Sequence, residues 1–141
     1  MRMGVRGLLV AAMCAAVGLS LDGRGPGDDA ELQYQLAALL YDETRFDEAR
    51  EAFRLAADTD DPELRMRARI GVVKTALLVG AFEEAQKEAS ALRDDSPKNP
   101  EAMAVHADAL WSAGLFDESE REFRDALAIA PEMSRGRHGL A

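Results

Sequence analysis

The sequence contains the stretch Phe46-Asp47-Glu48-Ala49, and the same pattern returns as Phe82-Glu83-Glu84-Ala85 and as Phe116-Asp117-Glu118-Ser119. The three copies begin 36 and 34 residues apart. A repeat of this length is typical of helical hairpins that stack in series. The repeat therefore predicts an all-α fold, an α-solenoid of three stacked helical hairpins.

Other positions keep the same register. Twelve residues before the last residue of each pattern stand Ala37, Val73 and Ala107, which are small enough to let two helices approach closely. Two residues before each phenylalanine stand Thr44, Gly80 and Gly114. One helix ends there and the chain reverses, which often requires a positive φ angle and favours glycine.

The spacing predicts six helices, near residues 29–43, 46–58, 63–79, 82–94, 100–113 and 116–129. Asp61-Pro62 and Asn99-Pro100 have the pattern of a capping residue followed by a first-turn proline. The acidic pairs fall in the first turn of each second helix, where carboxylates interact favourably with the helix dipole. Adjacent helical residues point in different directions, so these pairs are not catalytic carboxylate pairs.

The first 21 residues differ from the rest of the chain. Arg2 and Arg6 precede an uncharged run over residues 8–21, which as a helix would span about 21 Å. A bilayer core is about 30 Å thick. A basic start, a short apolar run and small residues near Ser20 predict a signal peptide or an N-terminal membrane anchor over residues 1–21.

This segment predicts an exported protein, periplasmic or otherwise extracytoplasmic, with a membrane tether if the segment is retained. The alternatives are a lipid anchor on Cys14, an apolar helix packed on the domain and a misassigned start of the chain. Residues 22–29, rich in glycine, predict a flexible linker.

Residues 134–141 begin like a fourth first helix and predict an incomplete or capping helix. The outer face of the last hairpin would then be open. Either the chain is a fragment of a longer array, or another copy covers that face in a homo-oligomer.

The composition excludes several classes of function. Lys and Arg number 17 and Asp and Glu 26, a net charge of −9, which argues against nucleic acid as a partner. One cysteine excludes a disulfide framework, and two histidines leave little material for a metal site. The Gly-x-Ser-x-Gly and His-Glu-x-x-His motifs do not occur. We therefore predict no enzyme, with no catalytic residues, metal or cofactor, and a structural role for His106.

The repeat resembles that of the tetratricopeptide repeat (TPR) family over residues 30–133. The resemblance is good in the second helices and in the glycine and proline positions. It is weaker in the first helices, where Gln33, Arg69 and Met103 stand at the family's early aromatic position. It implies a non-catalytic scaffold whose concave face, lined by the first helices, binds a protein or peptide partner.

The resemblance also implies which residues face that groove: Tyr34, Tyr41, Arg67, Ile70, Lys74, Asp108 and Trp111. Aromatic residues bury large areas and keep a polar group, which suits them as binding anchors. Arg67 and Lys74 are suited to a carboxylate or acidic side chain. Two alternatives stay open: the aromatic residues pack between helices, and Arg67 belongs to a solvated helix edge with Arg65 and Arg69.

A second function, from another class, is an accessory or dimerisation arm of a larger enzyme or assembly complex.

Overall fold

The computed structural model describes residues 25–133. Within them lie six helices: α1 (Pro26–Asp42), α2 (Phe46–Ala56), α3 (Pro62–Leu78), α4 (Phe82–Asp95), α5 (Pro100–Ser112) and α6 (Phe116–Ile129). Each helix packs on the next along the chain, so α1–α2, α3–α4 and α5–α6 form three hairpins. The predicted all-α array is confirmed, and the helix ends agree with the prediction within three residues.

Helix α1 begins inside the segment predicted to be a linker. Its first residue is Pro26, which is followed by two acidic residues in the first turn. The Gly25 N–H donates to the Asp28 carboxylate at 3.3 Å. A first-turn proline and a carboxylate at the positive end of the helix dipole both favour helix initiation. The linker prediction is therefore wrong for residues 26–29, and the predictions for residues 1–21 and 134–141 fall outside the described residues.

The three hairpin turns share one geometry. The φ angle is +62° at Thr44 and +78° at both Gly80 and Gly114. In each turn the next residue donates its N–H to the carbonyl oxygen five residues earlier, over 2.8–3.0 Å. The prediction of a chain reversal at these positions is confirmed, and Thr44 adopts a conformation that β-branched residues rarely tolerate.

Side-chain caps begin the first helices of the second and third hairpins. Asp61 accepts hydrogen bonds from the backbone N–H groups of Glu63 at 2.9 Å and Leu64 at 3.3 Å. Asn99 accepts one from the N–H of Ala102 at 2.9 Å. Both predicted caps are confirmed, and each satisfies N–H groups that the helix itself leaves without a partner.

Small side chains form the centre of each hairpin. The predicted close-approach residues are fully buried, and so are the last residues of the repeated pattern: Ala37, Val73, Ala107, Ala49, Ala85 and Ser119. The Ser119 hydroxyl donates to the carbonyl oxygen of Ala107 at 2.8 Å. That bond joins α6 to α5 and satisfies a buried polar group.

Ion pairs join successive hairpins. Arg54 of α2 pairs with Glu84 of α4, and Arg93 of α4 pairs with Glu122 of α6. The half-buried His106 has its Nδ1 3.3 Å from Oε1 of the same Glu122. His106 therefore lies in a contact between α5 and α6, as a structural histidine would.

Arg69 connects α3 to α4 through Glu88 and through Asp95 at 2.7 Å. Burial lowers the pKa of the Arg69 guanidinium, but its hydrogen bonds to Asp95 and Glu88 outweigh that effect and raise it above the ordinary value. The alternative of a solvated edge is therefore wrong for Arg69.

The array curves with its first helices on the inside. Helix α1 contacts α3, and α3 contacts α5. Among the described helices, α2, α4 and α6 make no such backbone contact with one another. The concave side is thus formed by α1, α3 and α5, and we call it the groove.

Candidate binding groove

A cavity of about 330 Å³ opens in the groove between α1 and α3. Its volume lies at the lower end of the range of ligand sites, about 300–1,000 Å³. We call it the first cavity; it is lined by Tyr34, Ala38, Tyr41, Asp42, Phe53, Arg67, Ile70, Gly71, Lys74 and Glu101. Three helices of the groove thus contribute, together with one residue of α2.

The floor of the first cavity is aromatic. The ring of Phe53, only 6% exposed, reaches the groove from α2 and lies 5.6 Å from the Tyr34 ring, edge to face. Gly71 of α3 lies directly against the Phe53 ring. Phe53 can occupy this place because Gly71 has no side chain, so the α3 backbone approaches α2 closely.

Arg67 covers one wall of the first cavity. Its guanidinium carbon lies 4.3 Å from the centre of the Tyr34 ring. A cation over an aromatic face contributes about 0.5–1 kcal/mol at an exposed site. Arg67 is exposed, so it lies on a solvated edge of α3 and also over the Tyr34 ring.

A second cavity, of about 370 Å³, continues the groove from α3 toward α5. Tyr41, Lys74, Leu77, Leu78 and Asp108 line it. Tyr41 and Lys74 line both cavities, so the two are neighbours along the groove. Because Asp108 lies at its far side, the second cavity has groups of both charges on its rim.

Trp111 lies apart from the other predicted residues. Its side chain is 56% exposed, and its ring lies 4.7 Å from the Phe116 ring, edge to face. It lines neither cavity. Tyr41 makes the same contact with Phe46, five residues later, at 5.4 Å. Tyr41 and Trp111 thus both pack against an aromatic ring of the next helix, as the alternative of packing between helices predicted.

The structure therefore brings together six of the seven predicted residues. Five line the first cavity: Tyr34, Tyr41, Arg67, Ile70 and Lys74. Asp108 lines the second. The residues that line the two cavities and are not among the seven predicted ones are Ala38, Asp42, Phe53, Gly71, Leu77, Leu78 and Glu101. For Gly71 the sequence does carry a signal, a glycine inside a helical pattern.

The groove thus has an apolar floor and a charged rim. Among residues 25–133, no group of three or more side chains has the arrangement of a metal site. In the same range, none of the helices combines the length and apolar character that crossing a membrane requires.

No protein-family model and no curated protein matches the sequence. Solved structures do match it. The second TPR domain of human RPAP3, in complex with the HSP70 peptide SGPTIEEVD, is 18% identical with a TM-score of 0.70, and the match covers 82% of this chain and 95% of that one.

The TPR domain of Arabidopsis OM64 has a TM-score of 0.69 at 17% identity, over 82% of this chain and 93% of that one. PcrH from Pseudomonas aeruginosa has a TM-score of 0.69 at 22% identity, over 80% of this chain and 89% of that one. At these identities the likeness concerns the fold. The chain thus folds as a three-hairpin array of the tetratricopeptide-repeat type, in agreement with the resemblance of its sequence.

Proposed function

We propose that this protein is a non-catalytic scaffold that binds an extended segment of a protein partner in the groove. The observation that carries the proposal is the pair of neighbouring cavities along the groove, which share Tyr41 and Lys74. Two neighbouring cavities on successive helices fit an extended chain better than a compact small molecule. The RPAP3 domain, similar in fold, was solved with a peptide bound, which supports the same class of function here.

The first cavity suits an apolar side chain of the partner. Its floor is formed by the Phe53 ring and the backbone at Gly71, and its walls include Ile70 and Tyr34. Burial of one apolar side chain contributes about 1.5–3 kcal/mol. Arg67 and Lys74 on the rim would then face an acidic residue of the partner beside the buried side chain, which sets orientation as well as affinity.

Selection of binders from a random peptide library tests this function. Isothermal titration calorimetry then compares the selected peptides on the unmodified protein and on the Arg67→Glu/Lys74→Glu variant. We expect selected peptides to combine apolar and acidic residues and to lose at least tenfold in affinity for that variant.

The matched control is Lys98→Glu/Arg121→Glu, which changes the net charge equally at two exposed residues outside both cavities. We expect this control to bind as the unmodified protein does. Equal affinity for the groove variant and the control would show that the binding site lies elsewhere.

A further inference from the structure

Helix α1 presents a row of exposed leucines on the side opposite its buried face. Leu32, Leu36 and Leu39 are 41%, 45% and 57% exposed. Their spacing of four and three residues places them on one face of the helix. We call them the leucine face; the residues that line the two groove cavities do not include them.

The repeat shows what this face corresponds to. The residues 36 positions later are Ala68, Val72 and Thr75, which are 0%, 5% and 0% exposed. They belong to α3, which packs against the preceding helix α2. The leucine face therefore stands where a first helix contacts the second helix of a preceding hairpin. A terminal hairpin that faces water normally carries polar residues there.

We propose that residues 8–21 of the same chain cover the leucine face as a helix, packed on α1 as α2 packs on α3. The segment has 14 residues, the length of α4 and α6. Four residues separate it from α1, four separate α4 from α5, and five separate α2 from α3. Each of the three first helices begins with proline. The segment thus has the length and the spacing of a second helix.

Its residues fit the same contact. Residues 8–21 include no charged side chain and are rich in alanine, as the other hairpin contacts are. Ala49 and Ala52 of α2 share a buried cluster with Val72 of α3. Counted from the proline of the following helix, Met13 corresponds to Ala49 and Leu36 to Val72. In the proposed helix, this register would set Met13 opposite Leu36.

Disulfide trapping in the full chain tests this contact. In a Cys14→Ser background, which removes the single native cysteine, the pair Met13→Cys/Leu36→Cys is oxidised and followed by mass spectrometry. The matched control is Met13→Cys/Gln35→Cys, because Gln35 is exposed, lies on another face of α1 and has almost the same tether length. We expect an intramolecular disulfide at least tenfold faster in the first pair.

Several results would overturn the proposal. Equal rates of disulfide formation in both pairs would mean that the short chain between the two cysteines is enough to bring them together. Disulfide-linked dimers through position 36 would mean that a second copy covers the leucine face. An N-terminus near residue 21 in protein from the native host also overturns it, because the segment is then removed as an export signal.

Thermal unfolding provides a second measurement. Leu39→Asp in the full chain is expected to lower the melting temperature by several degrees, because it places a charge in the proposed contact. Leu55→Asp is the matched control, since Leu55 is 53% exposed on α2, and is expected to change it little. Equal effects of the two substitutions contradict a covered leucine face.

Discussion

Gly71 of α3 lies directly against the ring of Phe53 of α2, where the first two hairpins meet. A Cβ atom added at Gly71 would lie 2.5 Å from Cδ1 of the Phe53 ring. The glycine thus lets an aromatic ring of a second helix form the floor of the groove. Packing between hairpins and the shape of the candidate site depend on the same missing side chain.

Replacement of this glycine is expected to destabilise the protein. Gly71→Ala should lower the free energy of unfolding by about 1–3 kcal/mol, the usual cost of overpacking a core, although alanine favours a helix by about 1 kcal/mol. Urea denaturation measures the change. In Gly71→Ala/Phe53→Leu, the smaller side chain should relieve the clash, so the double variant should lose less stability than the two single variants combined.

The control is Gly27→Ala, at a helical glycine with no atom within 4 Å of the added Cβ. It should leave stability unchanged or slightly raised. If Gly71→Ala behaves in the same way as Gly27→Ala, the ring of Phe53 does not lie where it is described.

Thr44 offers a stabilising substitution. Its φ angle of +62° costs an L-residue about 1–2 kcal/mol, a cost that glycine avoids. Thr44→Gly is therefore expected to raise the free energy of unfolding by about 1 kcal/mol, whereas Thr44→Ala, which keeps the cost, should not. Thermal unfolding of both variants checks this, and an equal gain in both would point to the loss of the threonine side chain instead.

Gly114 occupies the equivalent position in the turn of the third hairpin, and there the glycine is replaced rather than introduced. It has a φ angle of +78° and no atom within 4 Å of an added Cβ, so only the backbone conformation opposes a larger residue. Gly114→Ala should lower the free energy of unfolding by about 1 kcal/mol. An unchanged denaturation midpoint would mean that the turn relaxes to another geometry.

Phe123 should be among the most sensitive core positions. It is 2% exposed and packs with Ala104 and Ala107. Phe123→Ala is expected to cost about 3–5 kcal/mol, which in so short an array approaches the stability of the whole chain. Circular dichroism during heating measures it. Phe116→Ala, at a side chain 53% exposed, is the control and should cost far less.

Glu48 gives a prediction about pH. Its hydrogen bonds to Arg45, one of them 2.8 Å long, hold the pKa of the Glu48 carboxyl below its ordinary value. A lowered pKa in the folded state means that the pair stabilises the fold above about pH 4.3, the ordinary glutamate pKa. This contribution is lost as the pH falls through the lowered pKa. In an NMR titration, Arg45→Met should return the Glu48 pKa to the ordinary value; no change would exclude the pair in solution.

The sequence predicts the repeated features well because each is supported three times. The turn at Thr44 is the clearest case. Threonine does not favour a positive φ angle, yet the register with Gly80 and Gly114 identified the reversal, and the structure confirms it. The caps at Asp61 and Asn99 could be predicted from the local sequence alone, because a capping side chain bonds only to the residues that directly follow it.

The groove was predicted less completely. The family resemblance implies which face of a first helix lies inward, and Tyr34 and Ile70 follow from that. Phe53 does not, because it belongs to a second helix and reaches the groove only where Gly71 leaves room. The position of Arg67 over Tyr34 depends on side-chain conformation, which no sequence spacing specifies.

The most direct test of the proposed groove is an NMR titration of the 15N-labelled protein with the tightest peptide selected from the random library. We expect the largest amide shift changes on α1 and α3 around Ala38, Ile70 and Lys74, with saturation at one peptide per chain. Shift changes confined to α4 and α6, with those three amides unmoved, would contradict the account.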